Sequence, residues 1–100
     1  MQIKEEIFKK IQKHREEIIK FGVKSLGLFG SCVRNDARKK SDIDFLVEFE
    51  EGKKTFDNYM GLMFFLEDLF KSKVDLVIRE DIKPLLKPYI LKEVEYAQGL

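Results

Sequence analysis

Three aspartates and a glycine–serine pair are the residues of this sequence whose types and spacing could do chemistry. Asp42 and Asp44 stand two apart in SDIDFLVEF, Asp75 interrupts the apolar run KVDLVI, and Gly30-Ser31 follows LGLF. Side chains two apart on a strand share a face, with Cβ atoms about 6 to 7 Å apart. Asp42 and Asp44 are therefore expected to point the same way, with Ile43 in the opposite layer. Two ionised acids at that separation repel by about 2 kcal/mol at an effective dielectric of about 20, so something cationic should compensate them. The economical candidate is a divalent metal such as Mg²⁺, which takes a few carboxylates and completes its shell with water and phosphate oxygens.

Asp75 strengthens this expectation, because its neighbours Val74, Leu76 and Ile78 call for burial and an acid in such a place usually has a partner. If Asp75 reaches the face of Asp42 and Asp44, three carboxylates converge. That set suits a two-metal phosphoryl or nucleotidyl transfer: two acids hold and bridge the ions, and one binds the second ion and helps deprotonate an acceptor hydroxyl. Gly30 lets the backbone turn sharply near a ligand, and Ser31 is placed to open a short helix whose N-terminus attracts phosphate. Arg34, then Arg38, Lys39 and Lys40, supply cations for a phosphate tail. Taken singly, each piece has a plain structural reading: Asp caps turns, Gly-Ser is a common turn, and a basic run is often solvated. Taken together, they form one connected set.

The elements that must position this set can be read from periodicity. Ile3, Ile7, Ile11 and Ile18, with Phe8 and Ile19, recur at helical spacing and predict an amphipathic helix over residues 2 to 20, ended by Gly22. Val23 to Phe29 reads as a strand, residues 30 to 40 as a turn and short helix, and DIDFLVEF as a second strand. Its faces alternate: Ile43, Phe45, Val47 and Phe49 on one side, Asp42, Asp44, Leu46 and Glu48 on the other. After the polar EEGKK turn, Thr55 can cap a buried helix carrying Phe56, Tyr59, Met60, Met63, Leu66, Leu69 and Phe70. KVDLVI is a third strand, and Pro88 suits the first turn of a last helix through Tyr89, Ile90, Val94 and Ala97. The expectation is an α/β (α+β) fold, a three-stranded mixed sheet with helices packed on it, in the order α-β-(short α)-β-α-β-α.

Composition narrows the options. One hundred residues suit a single domain, 1–100, with one core. Nineteen basic and 18 acidic side chains leave a net charge of +1, so anion binding must be local, with no global field for nucleic acid or an anionic membrane. One His and one Cys cannot assemble the usual zinc ligand set. A Ser-His-Asp or Cys-His mechanism would need His14, which lies among charged residues far in sequence from Ser31 and Cys32. No signal-like or membrane-spanning run is seen, and a lone cysteine suits a reducing compartment, so a cytoplasmic location is expected.

The stretch GSCVRNDARKKSDIDFLV resembles the G-S-x-x-R-G-(x)-S-D-x-D-(hydrophobic)-x-V signature of the minimal nucleotidyltransferases, small members of the DNA polymerase β-like superfamily. The likeness runs from the leading helix through KVDLVI to LKPYILKEVEYA. It implies that Gly30 and Ser31 hold a triphosphate, with Arg34 and Ser41 beside it, and that Asp42, Asp44 and Asp75 ligate Mg²⁺, two ions in all. Where the motif continues with Gly this chain has Asn35, a residue tolerant of left-handed backbone. The resemblance further implies an antitoxin that transfers AMP from ATP to a tyrosine of a HEPN-domain toxin, as part of a homo- or hetero-oligomer. Alternatively, such an antitoxin would be a non-catalytic binding module that neutralises its partner by occlusion. An exposed face of the first or last helix could dock the partner.

Overall fold

The computed structural model describes residues 4–30, 33 and 42–100. The strands form one four-stranded sheet, in the spatial order Val74–Ile78, Ile43–Phe49, Val23–Phe29 and Glu95–Tyr96. β1 (Val23–Phe29) runs antiparallel to β2 (Ile43–Phe49), and β2 runs parallel to β3 (Val74–Ile78). The parallel step requires a crossover, and α3 (Phe56–Phe70) provides it. Thr55 caps α3 as expected: its Oγ1 accepts the Asn58 N–H at 3.1 Å, satisfying one of the helix's orphan donors. Gly22 closes the leading helices with φ 82° and donates its N–H to the Ile19 carbonyl at 2.8 Å.

The α/β class holds, and three expectations within it need correction. The leading helical segment is two pieces among the described residues, α1 (Lys4–Lys13) and α2 (Arg15–Ile19), separated at His14, whose φ of −108° and ψ of 21° leave the helical region. No residue in the sequence demands this break. The last helix, α4 (Lys87–Glu93), stops before Val94 instead of running through Ala97. Glu95 and Tyr96 form β4, which pairs antiparallel with Gly27 and Leu28 of β1 and makes the sheet four-stranded. The turn into β4 is favoured because edge pairing satisfies backbone groups that β1 would otherwise leave open. The expected short helix within residues 30–40 falls almost wholly outside the described residues.

The two sheet faces carry different clusters. Ile43, Phe45 and Val47 of β2, Val74 and Leu76 of β3, and Leu26 and Leu28 of β1 pack with Ile7, Ile11 and Ile18 of the leading helices and Leu62, Leu66 and Phe70 of α3. On the other face Phe29, Leu46 and Ile82 form a smaller cluster with Val77 and with Ile90, Leu91 and Val94 at the end of α4. A register irregularity between Val23 and Ser25 brings Val23 and Leu26, three apart, into the same cluster. β3 ends the sheet, and Tyr59 of α3 donates its hydroxyl to the Leu76 carbonyl at 2.6 Å. Burial, and then the charge of Asp75, hold the Tyr59 hydroxyl above a tyrosine's ordinary range, so it remains a neutral donor. Tyr59→Phe should cost about 1 kcal/mol of stability, read from the urea midpoint, because the carbonyl keeps its place and loses its partner.

Candidate active site

The alternation of β2 and β3 decides where the aspartates lie. Val74, Leu76 and Ile78 face the main core while Val77 joins the smaller cluster, which puts Asp75 on the smaller cluster's side. Ile43, Phe45 and Val47 face the main core while Leu46 joins the smaller cluster, which puts Asp44 on that same side. Asp44 and Asp75 are direct partners in the parallel register. Neighbouring strands lie about 4.8 Å apart, so two carboxylates in this relation repel by about 3 kcal/mol at an effective dielectric of about 20, less whatever solvent screens at exposed Asp75. Asp44 is half-buried. Asp42 sits just ahead of β2 and is exposed, with the pairing continued past it by the Ile43 N–H, which donates to the Lys73 carbonyl at 3.0 Å.

Gly30 completes the arrangement at the end of β1. Its φ is 76°, a left-handed conformation that favours glycine, and its carbonyl accepts the Val33 N–H at 3.2 Å as the chain turns. A side chain there has no room: a Cβ would collide with the Asp44 carboxylate, lying 3.0 Å from its Cγ. On the amide side the Gly30 N–H donates to Oε1 of Glu93 at 2.8 Å. Ser31, Arg34 and Ser41 lie outside the described residues.

Two acids that the motif does not include also act on this end of the sheet. Glu67 of α3 accepts the Val74 N–H at 3.2 Å and so fixes the start of β3, one residue before Asp75. Glu93 of α4 holds Gly30. Glu67 leaves a trace in the sequence as an acid between Leu66 and Leu69 of an apolar helix, whereas Glu93 lies among Lys92, Glu95 and other exposed types and leaves none.

Among the described residues no group of three His, Cys, Asp or Glu side chains forms a ready-made metal cage. The donors present still suit Mg²⁺, which keeps several waters and binds through one or two carboxylates plus substrate phosphates. Asp44 and Asp75 are hard oxygen donors side by side, with a side-chain-free Gly30 against Asp44. A cleft of about 450 Å³ opens at the opposite end of the sheet, lined by Lys24, Glu48, Lys54, Arg79 and Glu80 among others. There acids face bases, Lys54 to Glu80 at 3.5 Å and Arg79 to Glu48 at 3.9 Å. Among the described residues no helix is long and apolar enough to cross a membrane.

A half-buried acid stands in register with a second on a neighbouring strand, beside a glycine turn, and comparison with known proteins shows the family of the chain that carries them. The family described as "Nucleotidyltransferase domain" matches residues 5–97. The protein adenylyltransferase MntA of Thermococcus cleftensis is 39% identical over 93 residues, 92% of this chain and 93% of that protein. A solved chain described as a minimal nucleotidyltransferase superposes with a TM-score of 0.72 at 33% identity, covering 88% of this chain and 93% of the other. A chain of the solved toxin–antitoxin pair MntA-HepT superposes with a TM-score of 0.56 at 25% identity, covering 89% and 73%. The chain belongs to the nucleotidyltransferase domain family, among its minimal members. It is an enzyme, a nucleotidyltransferase.

Proposed function

We propose that this chain transfers AMP from ATP to a tyrosine hydroxyl of a HEPN-domain toxin and so acts as the antitoxin of a pair. The observation that carries the reading is the direct register pairing of Asp44 with Asp75 on the sheet face that Gly30 closes. The similarity to a protein adenylyltransferase supports the reaction, and the likeness to a chain of a toxin–antitoxin pair supports a protein acceptor.

In this reading Asp42, Asp44 and Asp75 would hold Mg²⁺, two ions, which would supply charge neutralisation for the transferred phosphoryl group and its leaving group. Gly30 and Ser31 receive the triphosphate, with Arg34 and Ser41 alongside. The tyrosine oxygen attacks the α-phosphorus in line, a P–O bond forms, the α–β bridging bond breaks, and pyrophosphate departs. Asp75 would take the hydroxyl proton, and its exposure on the outer strand supports that role.

The test mixes the purified protein with the product of the neighbouring gene, Mg²⁺ and each NTP in turn, and weighs both chains by mass spectrometry. Gain of AMP by the partner, dependent on ATP and abolished by EDTA, is the expected result. Neutralisation of the partner with no mass gain under any nucleotide would favour occlusion and reject transfer.

A further inference from the structure

The glycine that the nucleotide reading places under the triphosphate is gripped from both sides, and one of the grips comes from the far end of the chain. On the Cα side Gly30 lies against Asp44; on the amide side its N–H is taken by the Glu93 carboxylate at 2.8 Å. Glu93 is itself held. Ile90, Leu91 and Val94 around it pack on Phe29 and Leu46 of the site-bearing face, and β4 begins two residues later, with Glu95 registered on Leu28. Gly27 permits this approach, since a Cβ there would lie 2.6 Å from Val94 Cγ2. A carboxylate accepting a backbone N–H is among the stronger hydrogen bonds, and this one spans 63 residues of sequence.

From this we infer that Glu93 is a positioning residue for the nucleotide: its Oε1 fixes the Gly30 amide and with it the left-handed backbone at Gly30. The inference rests on the nucleotidyltransferase reading of the Gly30 end and adds to it a residue outside the signature. Misplacing a binding group by about 1 Å can cost as much as 10²-fold in activity, so loss of this grip should be visible in nucleotide binding.

The prediction separates reach from charge. Glu93→Gln keeps an oxygen at the same distance and loses the charge; Glu93→Asp keeps the charge and withdraws the oxygen by one methylene. Calorimetric titration with AMP-PNP in Mg²⁺ buffer should give Glu93→Gln a Kd within about threefold of the wild type. Glu93→Asp and Glu93→Ala should bind roughly tenfold more weakly. In the transfer assay the same two variants should raise KM for ATP with kcat little changed, whereas a merely structural role would lower the active fraction, and so kcat, at constant KM. Gly30 amide exchange, read by NMR, should be protected in the wild type and Glu93→Gln and faster in Glu93→Ala. Equal AMP-PNP affinity across all four proteins, or a Glu93→Gln as weak as Glu93→Ala, overturns the inference. A wild type that binds AMP-PNP with this split and yet transfers nothing to its partner rejects the transfer reading and leaves Glu93 in its role.

Discussion

The double variant Asp42→Asn, Asp44→Asn should lose AMP transfer by at least roughly 10³-fold while still binding the partner. Asn keeps the size of Asp and an oxygen to coordinate with, but not the charge that draws a divalent ion, so the effect falls on chemistry and not on packing. Asp44 carries most of it: it is half-buried, paired in register with Asp75 and covered by Gly30, whereas Asp42 is exposed ahead of the strand. The single changes should therefore rank with Asp44→Asn the more severe. Far-UV circular dichroism and co-purification with the partner provide the controls for folding and docking. Transfer at wild-type rate by the double variant would exclude these carboxylates from the chemistry.

Gly30→Ala should be nearly as damaging, by roughly 10²-fold in transfer and by about 1 to 3 kcal/mol in stability. Two costs combine: a left-handed φ of 76° for a residue with a Cβ, and a collision of that Cβ with the Asp44 carboxylate. Gly52 is the natural control. It has the same φ of 76°, but a Cβ there would meet nothing within 4 Å. Gly52→Ala should thus show the backbone cost alone, about 1 kcal/mol, and full activity. Equal activity losses at the two positions would mean that contact with Asp44 is not what makes Gly30 special.

How much of this was legible beforehand follows from how local each signal is. β1, β2 and α3 were readable within a residue or two because alternation, helical spacing and the Thr55 cap are properties of short windows. The shared face of Asp42 and Asp44 is an expectation from strand geometry alone, and β2 begins only at Ile43. That Asp75 stands beside Asp44 and not a residue above or below it does not follow from strand geometry, since register between β2 and β3 is set by the length and packing of α3. β4 leaves no signal in the sequence because two exposed residues carry no periodicity, and its pairing partner Gly27–Leu28 is distant in the chain. Glu93 was invisible for a related reason: its partner is a backbone N–H, which any residue at position 30 but proline would have. The signature thus carries no mark of Glu67 and Glu93, the acids that accept the Val74 and Gly30 N–H groups.

The central claim is that Asp44 and Asp75 share a divalent ion in the presence of nucleotide. Mn²⁺, a paramagnetic stand-in for Mg²⁺, reports on it directly when titrated into protein with AMP-PNP and followed by electron paramagnetic resonance. The wild type should bind Mn²⁺ beyond what AMP-PNP alone retains, and Asp44→Asn and Asp75→Asn should each abolish that excess. Undiminished binding in both variants would contradict the account.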